Sequence, residues 1–391
     1  MGRRKSTRTC TICGQGPVIK NGTRNGRIRY RCKHCGQDPY RDEHARPDIT
    51  ALAIFTQYLH WILGKASQAE IAGNTGRTLR RQWSWCWTIP TPALDITGEV
   101  YDQVFIDGIY LAYHWCLLIA HDGTHVITWQ WCHRENAPAY TALLSRLAPP
   151  DLITTDGHGG ALKALKTLWP DVPVQRCLIH VHRNNLRDLT SRPNTHAGKA
   201  LLALSQRLLK VSSKEDAAIW TKLLMECHTT YEDFFKTRTW AKDVPIWQRR
   251  TRRTWWYTHG RDRRVYQRLT RLTRQGVLFH FLDFNPARER TTNPIESFNH
   301  QIRSLLAHHP GMPEDHMIAA VDWLCYTHTA NPKPARQILK EWEHNGRPAR
   351  RIIPTKNTPP IPEPDGPARY GTGLSAEEGL WTRKGWAGHT N

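Results

Sequence analysis

The chain has 391 residues, of which 39% are hydrophobic and 9% aromatic, enough apolar side chain to build packed cores and to exclude a wholly disordered protein. It carries 55 Lys and Arg against 34 Asp and Glu, and the formal net charge of +21 favours a polyanionic partner. No apolar run is long enough to cross a membrane, and the basic N-terminus lacks the apolar segment of a secretory signal. We therefore expect a cytoplasmic protein with no membrane partner.

The positive charge is concentrated in two stretches of the chain. Residues 1–50 hold 12 basic and 4 acidic residues, a net of +8. Residues 236–290 hold 15 basic and 4 acidic residues, a net of +11, among several aromatics. Clustered basic and aromatic side chains are typical of nucleic-acid binding.

Four of the ten cysteines form two CxxC pairs, Cys10, Cys13, Cys32 and Cys35. This spacing is typical of a tetrahedral zinc site and predicts a zinc ribbon over residues 1–40; the alternative is a pair of chance or redox-active motifs. The hairpin between the pairs carries arginines that favour a nucleic-acid ligand: Arg24, Arg27, Arg29 and Arg31.

Residues 48–90 have the pattern of a small helical domain. Ser67 and Glu70 form a capping box, and Gly76 lies where a helix-turn-helix turns. The helix that follows carries Arg80 and Arg81, as a groove-reading helix would. The alternative is an ordinary helical hairpin whose tryptophans lie in its core.

Strand patterns dominate residues 100–185. A strand at 104–111 and a hairpin at 115–131, turning at Asp122-Gly123, are followed by a helix at 136–148. A strand at 151–160, a helix and a strand at 172–177 complete the series. This order predicts an α/β fold with a ribonuclease H-like core.

Two aspartates of this region are candidate metal ligands. Asp107 lies inside an apolar strand, where a charge is costly unless it is paired or metal-bound. Asp156 ends a strand, and the first and fourth strands of this fold are neighbours. Two such carboxylates with one further acid can hold two Mg²⁺ ions for phosphodiester chemistry. Taken alone, Asp156-Gly157 is better explained as a turn.

Residues 290–304 predict a helix that supplies the further acid, Glu296. Asn293 is a candidate N-cap and Pro294 suits the first turn. Glu296, Asn299 and Arg303 share one helix face with His300 by their spacing, although a solvated polar face would have the same pattern.

Three motifs resemble the Mutator-like DDE transposases of bacterial insertion sequences. They are IDG at 106–108, TTDG with the later QRC-x-x-H-x-x-RN at 154–184, and RTTNPIESFNHQIR at 290–303. The resemblance implies a ribonuclease H-like core over 100–185 and 290–345, interrupted by an α-helical basic insertion at 186–289. It implies Asp107, Asp156 and Glu296 as the metal-binding triad, with Arg303 as a basic position of the motif.

The same resemblance includes the pair Cys177 and His180. Cys-x-x-His is half of a zinc site, and Cys227-His228 is a candidate partner. Structural packing near the site is the alternative. The N-terminal zinc ribbon and the Ser297-Phe298 dipeptide depart from the family pattern.

Further DNA contacts are expected from the insertion, at Arg249, Arg250, Arg252, Arg253, Trp255 and Trp256. Arginines bind phosphates and tryptophans stack on bases, although these tryptophans equally suit packing between helices. Residues 351–391 are rich in proline and predict a loosely ordered tail.

Together these features predict a DDE transposase that binds insertion-sequence ends and catalyses Mg²⁺-dependent strand cleavage and strand transfer. The expected cofactors are two Mg²⁺ or Mn²⁺ ions and structural Zn²⁺. The partners are transposon-end and target DNA and further copies of the chain, a homodimer or higher, in the bacterial cytoplasm with the nucleoid. The alternatives are a zinc-dependent DNA-binding regulator and a structure-selective nuclease.

Overall fold

The computed structural model describes residues 9–10, 13–15, 17–24, 27–39, 47–73, 75–249 and 253–344. The predicted tail at 351–391 lies outside the described residues. In chain order the strands are β1 (Val18–Arg24), β2 (Arg27–Cys32), β3 (Val104–Tyr110), β4 (Cys116–His121), β5 (Val126–Cys132), β6 (Ile153–Thr155), β7 (Val174–Arg176), β8 (Arg238–Trp240) and β9 (Trp255–Tyr257).

The helices are α1 (Pro47–Ile62), α2 (Gln68–Ala72), α3 (Arg77–Trp83), α4 (Ala137–Leu144), α5 (Gly159–Leu168), α6 (Leu178–Leu189), α7 (His196–Leu208), α8 (Lys214–Lys236), α9 (Gly260–Arg274), α10 (Asn293–His308), α11 (Glu314–Thr327) and α12 (Ala335–His344). Contacts divide these elements into two units. The N-terminal unit holds the described residues up to Pro90 together with Lys333–His344, and the central unit is Thr91–Pro332.

In the N-terminal unit, β1 and β2 form an antiparallel hairpin with Lys20 opposite Tyr30. The predicted capping box at the start of α2 is confirmed: the Ser67 hydroxyl accepts from the Glu70 amide at 3.2 Å and the Glu70 carboxylate accepts from the Ser67 amide at 2.6 Å. These bonds satisfy amide donors that the first turn of a helix leaves unpaired.

Aromatic side chains form the core of the helical part of this unit. Trp83 of α3 is buried and stacks on Trp61 of α1, with ring centroids 4.9 Å apart. The turn before α3 needs glycine, because Gly76 has φ +69° and a Cβ there would lie 2.9 Å from the Gln68 Cβ. The predicted packing role of the tryptophans therefore holds for Trp83.

Helix α12 belongs to the N-terminal unit because it packs on α1 and its Trp342 stacks on Trp85 at 5.6 Å. Ile338 and Leu339 bury its apolar face. The structure thus differs from the predicted core segment at 290–345, whose central-unit portion ends before this helix.

The central unit is built on a five-stranded mixed sheet with the strand order β5-β4-β3-β6-β7. β3, β4 and β5 are antiparallel neighbours, whereas β3, β6 and β7 run parallel. The predicted hairpin turn is confirmed: one Asp122 oxygen accepts from the amides of Thr124 and His125, both at 2.6 Å. The predicted strands and helices of residues 100–185 are all present.

Each face of the sheet is covered by helices. On one face the alternate residues Val104 and Ile106 join a core with Tyr140 and Leu143 of α4 and with α5. α10 and α11 contact the sheet through β3, β4 and β5. Alternation along β3 gives Asp107 and Gly108 opposite faces, and this difference shapes the site described below.

The region between β7 and α10 is mainly helical, as predicted. Helices α6 to α9 bury a core around Leu201, Trp220 and Leu269. The Trp220 indole N–H donates to the carbonyl of Leu204 at 2.9 Å, which satisfies its one polar atom. The short strands β8 and β9, which lie between α8 and α9 in the chain, form an antiparallel pair. Among the described residues, no helix combines the length and apolar character that crossing a bilayer requires.

Candidate active site and zinc centre

Asp107 lies within β3 and Asp156 directly follows β6, at the point where the parallel pairing of these two strands ends. β3 pairs with β6 so that Ile106 lies opposite Thr155, and the next residue of each chain segment is the predicted aspartate. Both side chains are half-buried. Burial, together with the negative charge of Asp156, raises the pKa of Asp107 to about 7. The proximity of two acids with one raised pKa is typical of a site that takes a cation.

The local chain around Asp156 fixes its carboxylate. Gly157 has φ +85°, and a Cβ at this position would lie 1.7 Å from the guanidinium carbon of Arg176. Arg176 donates to the carbonyl oxygen of Asp156 at 2.5 Å. One Asp156 carboxylate oxygen accepts from the His158 amide at 2.8 Å. The tight turn is thus real, and it also sets the direction of a predicted site residue.

Glu296 lies in the first turn of α10, close to Arg183, His180 and the Thr292 hydroxyl. One carboxylate oxygen lies 3.0 Å from Arg183 Nη1, and the other accepts from the Thr292 hydroxyl at 3.0 Å. His180 Nδ1 is 3.7 Å from that second oxygen. Burial on its own would raise the pKa of Glu296, but these partners outweigh it and the pKa is lowered.

The expected N-cap of this helix is wrong. Thr292, not Asn293, is the N-cap residue of α10, and Asn293 is already helical. The Thr292 hydroxyl does not cap the helix either, because it is bonded to Glu296 and lies 3.2 Å from the Cys177 sulfur. The helix start is therefore organised around the site rather than around a standard cap.

Asn299 links α10 to the sheet. It follows Glu296 by nearly one turn, is buried, and its Nδ2 donates to Asp107 Oδ2 at 2.8 Å. Its Oδ1 is buried and has no hydrogen-bond partner among the described residues. Asn299 thereby links Asp107 to the helix that carries Glu296. The helix face predicted to be polar is therefore buried at Asn299 and is not a solvated surface there.

Cys177, His180 and Glu296 form one of two groups of ligand atoms close enough to hold a metal ion among the described residues, all within 4.8 Å. The Cys227-His228 dipeptide is not part of it, since Cys227 packs in the helical core and His228 lies against Tyr266. The proposed pairing with Cys227-His228 is therefore wrong.

Glu135 is a fourth carboxylate that the sequence analysis missed. Its side chain is only 12% exposed, accepts from the Tyr140 hydroxyl at 2.9 Å, and lies 3.8 Å from His158. A Cβ on Gly108 would be 2.6 Å from its carboxyl carbon, so this glycine makes room for it. Burial raises the pKa of Glu135, and its charge adds to the field at Asp107. The sequence signal that points to Glu135 is an acidic residue directly before Asn136, the N-cap of α4.

The second metal-competent group is the four cysteines of the N-terminal unit, Cys10, Cys13, Cys32 and Cys35. The Sγ atoms of Cys10 and Cys35 are 3.8 Å apart, and those of Cys13 and Cys32 are 3.7 Å apart. A tetrahedron with Zn–S bonds of about 2.3 Å has edges of about 3.8 Å. The four thiols therefore fit a zinc ion.

The backbone of this cluster has the turns that such a site needs. Gly14 and Gly36 have positive φ and donate to the carbonyls of Cys10 and Cys32. The amides of His34 and Cys35 point at the Cys32 sulfur, at 3.3 and 3.5 Å. Such N–H···S contacts favour a thiolate, the form that binds metal.

The predicted DNA-contacting residues are spread over both units. Arg29, Arg80, Arg81, Arg249, Arg253 and Arg303 are exposed, and Trp255 and Trp256 are half-buried. Arg250 and Arg252 lie outside the described residues, and the side chains of Arg24 and Arg27 are not described. Trp255 contacts Trp240 and carries the Arg238 guanidinium 4.1 Å above its ring, so packing accounts for part of its surface.

Comparison with known proteins identifies the region that contains two of the three acids. No curated protein matches the chain. Residues 99–204 match the family described as "Transposase, Mutator family", and this stretch includes Asp107, Asp156, Cys177 and His180. Glu296 and α10 lie beyond the matched residues. Residues 99–204 are therefore similar to the transposases of the Mutator family.

Proposed function

We propose that this chain is a DDE transposase that binds insertion-sequence ends and carries out Mg²⁺-dependent cleavage and strand transfer. The observation that carries the proposal is the parallel pairing of β3 with β6, which sets Asp107 beside Asp156 inside the Mutator-family match. The strand order β5-β4-β3-β6-β7 supports a ribonuclease H-like core, in which neighbouring strands supply two acids.

Asp107, Asp156 and Glu296 would hold the metal ions. Hard carboxylate oxygens are the ligands that Mg²⁺ and Mn²⁺ prefer. The raised pKa of Asp107 reflects burial and the nearby negative charge of Asp156, both of which a bound cation would offset. When bound, the metal supplies an activated hydroxyl nucleophile and neutralises the charge that develops on the phosphate.

The chain's own groups prepare the site. Asn299 directs the Asp107 carboxylate, Arg176 and the His158 amide direct Asp156, and Arg183 holds Glu296. Arg303 lies about one helical turn after Asn299 in α10; it is exposed and suited to binding a phosphate. No side chain is needed as a covalent nucleophile, because the attacking group is water or a DNA 3′-hydroxyl.

The N-terminal unit would recognise the ends of the element. We assign residues 1–40 to a zinc ribbon and 48–90 to a helix-turn-helix; α2 and α3, joined through Gly73 and Gly76 with positive φ, support the second assignment. Zinc is structural in this scheme. Arg29, Arg80 and Arg81 would contact DNA, and further copies of the chain would bring two ends together.

The test is cleavage and joining of DNA carrying the element's ends, with Mg²⁺, by the full chain. Asp107→Ala, Asp156→Ala and Glu296→Ala should each abolish both steps, whereas Asp171→Ala, which removes an exposed acid, should leave them unchanged. Binding without cleavage by the wild type would favour the regulator. Cleavage without joining would favour a structure-selective nuclease, and activity in all three variants would refute the assigned site.

A further inference from the structure

Helix α9 carries a row of arginines that the assignments above do not use. Its buried face contributes Val265, Leu269 and Leu272 to the helical core. The other side carries arginines at intervals of four, three and three residues, which places them on one face. We call Arg264, Arg268, Arg271 and Arg274 the arginine row; Arg268 is half-buried and the other three are exposed.

A cavity of about 620 Å³ runs along this row. Its lining comprises all four arginines with Tyr266, Gln267 and Thr270. No carboxylate lines it within the described part of the chain. This outer face of α9, with forked guanidinium donors and the amide of Gln267, suits phosphate oxygens, which accept paired hydrogen bonds from arginine.

The row has more positive charge than the protein neutralises. Asp188 is the one carboxylate paired with it among the described residues, accepting from Arg264 at 3.0 Å and from Arg268 at 2.6 Å. Arg268 also donates to the Asn185 side-chain oxygen at 2.8 Å, which fixes its position. Arg271 and Arg274 form no ion pair with a described carboxylate. Four guanidiniums facing one carboxylate leave an excess that an external anion can balance.

The row leads to the predicted active site. Arg176, whose guanidinium covers Gly157 and bonds the Asp156 carbonyl, is the link. Burial lowers the pKa of Arg176; the charge of Asp156 opposes that effect, and the charges of Arg271 and Arg268 add to it. Arg176 therefore lies within electrostatic range of both the row and the acidic edge of the sheet.

We propose that the arginine row binds the sugar-phosphate backbone of the DNA strand whose phosphodiester enters the Asp107–Asp156 edge. From Arg264 to Arg274 the helix rises about 15 Å, which spans about four phosphates of one strand when they are counted along the axis of a DNA duplex. The continuity with an acidic site that processes phosphodiesters favours DNA over an acidic protein. This inference rests on the proposed function, and names the surface that delivers its substrate.

The experiment measures binding of the full chain to a fluorescent DNA duplex of arbitrary sequence, as KCl concentration is raised. Each phosphate contact contributes about 0.9 to the slope of log affinity against log salt. Arg271→Gln/Arg274→Gln should therefore lower the magnitude of this slope by about 2 and weaken binding most at low salt. Arg271→Lys/Arg274→Lys, which keeps both charges, should retain most of the slope.

The matched control removes two charges elsewhere. Lys163 and Lys166 are exposed residues of α5, a helix that packs against α4. Lys163→Gln/Lys166→Gln has the same net charge as the double-glutamine variant of the row and should keep the wild-type slope. An equal loss in the lysine variant would overturn the proposal, because the effect would then belong to net charge alone.

Failure of this inference can be separated from failure of the proposed function. If the wild type cleaves end DNA and Arg271→Gln/Arg274→Gln binds and cleaves like it, the row is refuted and the function stands. If the row variant loses its salt slope while the wild type never cleaves, the row stands as a DNA surface and the function fails. With cleavage present, the row variant should raise the KM for DNA while kcat changes little.

Discussion

Replacing Asn299 tests the connection between α10 and the sheet. The side chain donates one hydrogen bond of 2.8 Å to Asp107 and is 3% exposed. A hydrogen bond to a charged group contributes about 1.5–3 kcal/mol, equivalent to about 10- to 150-fold in an equilibrium constant. Residues that orient a metal ligand usually alter metal affinity by about 10- to 100-fold. Asn299→Ala should therefore raise the Mg²⁺ concentration for half-maximal cleavage by about 10- to 100-fold.

The assay is a Mg²⁺ titration of cleavage at saturating DNA, with thermal unfolding measured in parallel. Gln301→Ala is the matched control, because Gln301 carries the same amide on an exposed position of the same helix. It should leave the Mg²⁺ dependence unchanged. Excess Mg²⁺ should restore much of the rate of Asn299→Ala, since its Asp107 carboxylate is disoriented rather than absent.

A role in packing alone predicts a different result. Asn299→Leu fills nearly the same volume without a donor, so it should be as defective as Asn299→Ala if orientation of Asp107 matters. Wild-type Mg²⁺ dependence in Asn299→Leu would refute the reasoning. The buried, unpartnered Oδ1 of Asn299 adds a second expectation: Asn299→Asp keeps an oxygen at this position that can bind Mg²⁺, so its Mg²⁺ dependence should be less impaired than that of Asn299→Leu.

Three further outcomes follow from the geometry. Cys32→Ser should abolish stoichiometric zinc in the purified chain, measured by atomic absorption, and leave the fold of the central unit intact. In metal-free protein the pKa of Asp107 is raised to about 7, so between about pH 4 and pH 7 the folded form holds a proton that the unfolded form has lost. The free energy of unfolding, measured by urea titration, should therefore fall as the pH rises through this range. Asp107→Asn should flatten this dependence. Gly157→Ala should lower stability by more than about 1 kcal/mol and abolish cleavage, because the positive φ and Arg176 both exclude a Cβ; near-wild-type melting would contradict this.

The sheet was predictable because its signals are local. Val104–Tyr110 alternates, Asp122-Gly123 turns a hairpin, and short apolar runs flank the helices, so each element declares its type over a few residues. The neighbourhood of β3 and β6 came from a fold expectation, and the register then decided that Asp107 and Asp156 are side by side. The predicted core segment at 290–345 includes α12, which lies in the N-terminal unit instead. The sequence pattern does not indicate this, because the contact of Trp342 with Trp85 joins residues that are distant in sequence.

The site was predictable only in part, for tertiary reasons. Capping preferences favour Asn293, but Thr292 takes that position because its hydroxyl bonds Glu296 and lies against Cys177. Glu135 has no motif of its own; its importance depends on the space above Gly108, which exists only once β3 and the turn before α4 are packed together. A pattern read along one chain segment cannot express either dependence.

The acids of the site differ in how the protein balances their charge. Glu296 already has Arg183 at 3.0 Å and His180 at 3.7 Å, and its pKa is lowered. The pKa of Asp107 is instead raised, by burial first and then by the negative charges of Asp156 and Glu135, against an opposing effect of His180. A cation therefore gains most at Asp107, where burial and like charges outweigh the opposing charge of His180. At Glu296 it must displace Arg183 or share the carboxylate with it. This asymmetry predicts that Asp107→Asn weakens Mg²⁺ binding more than Glu296→Gln, whereas equal losses by calorimetry would mean that the ion, not Arg183, is the natural partner of Glu296.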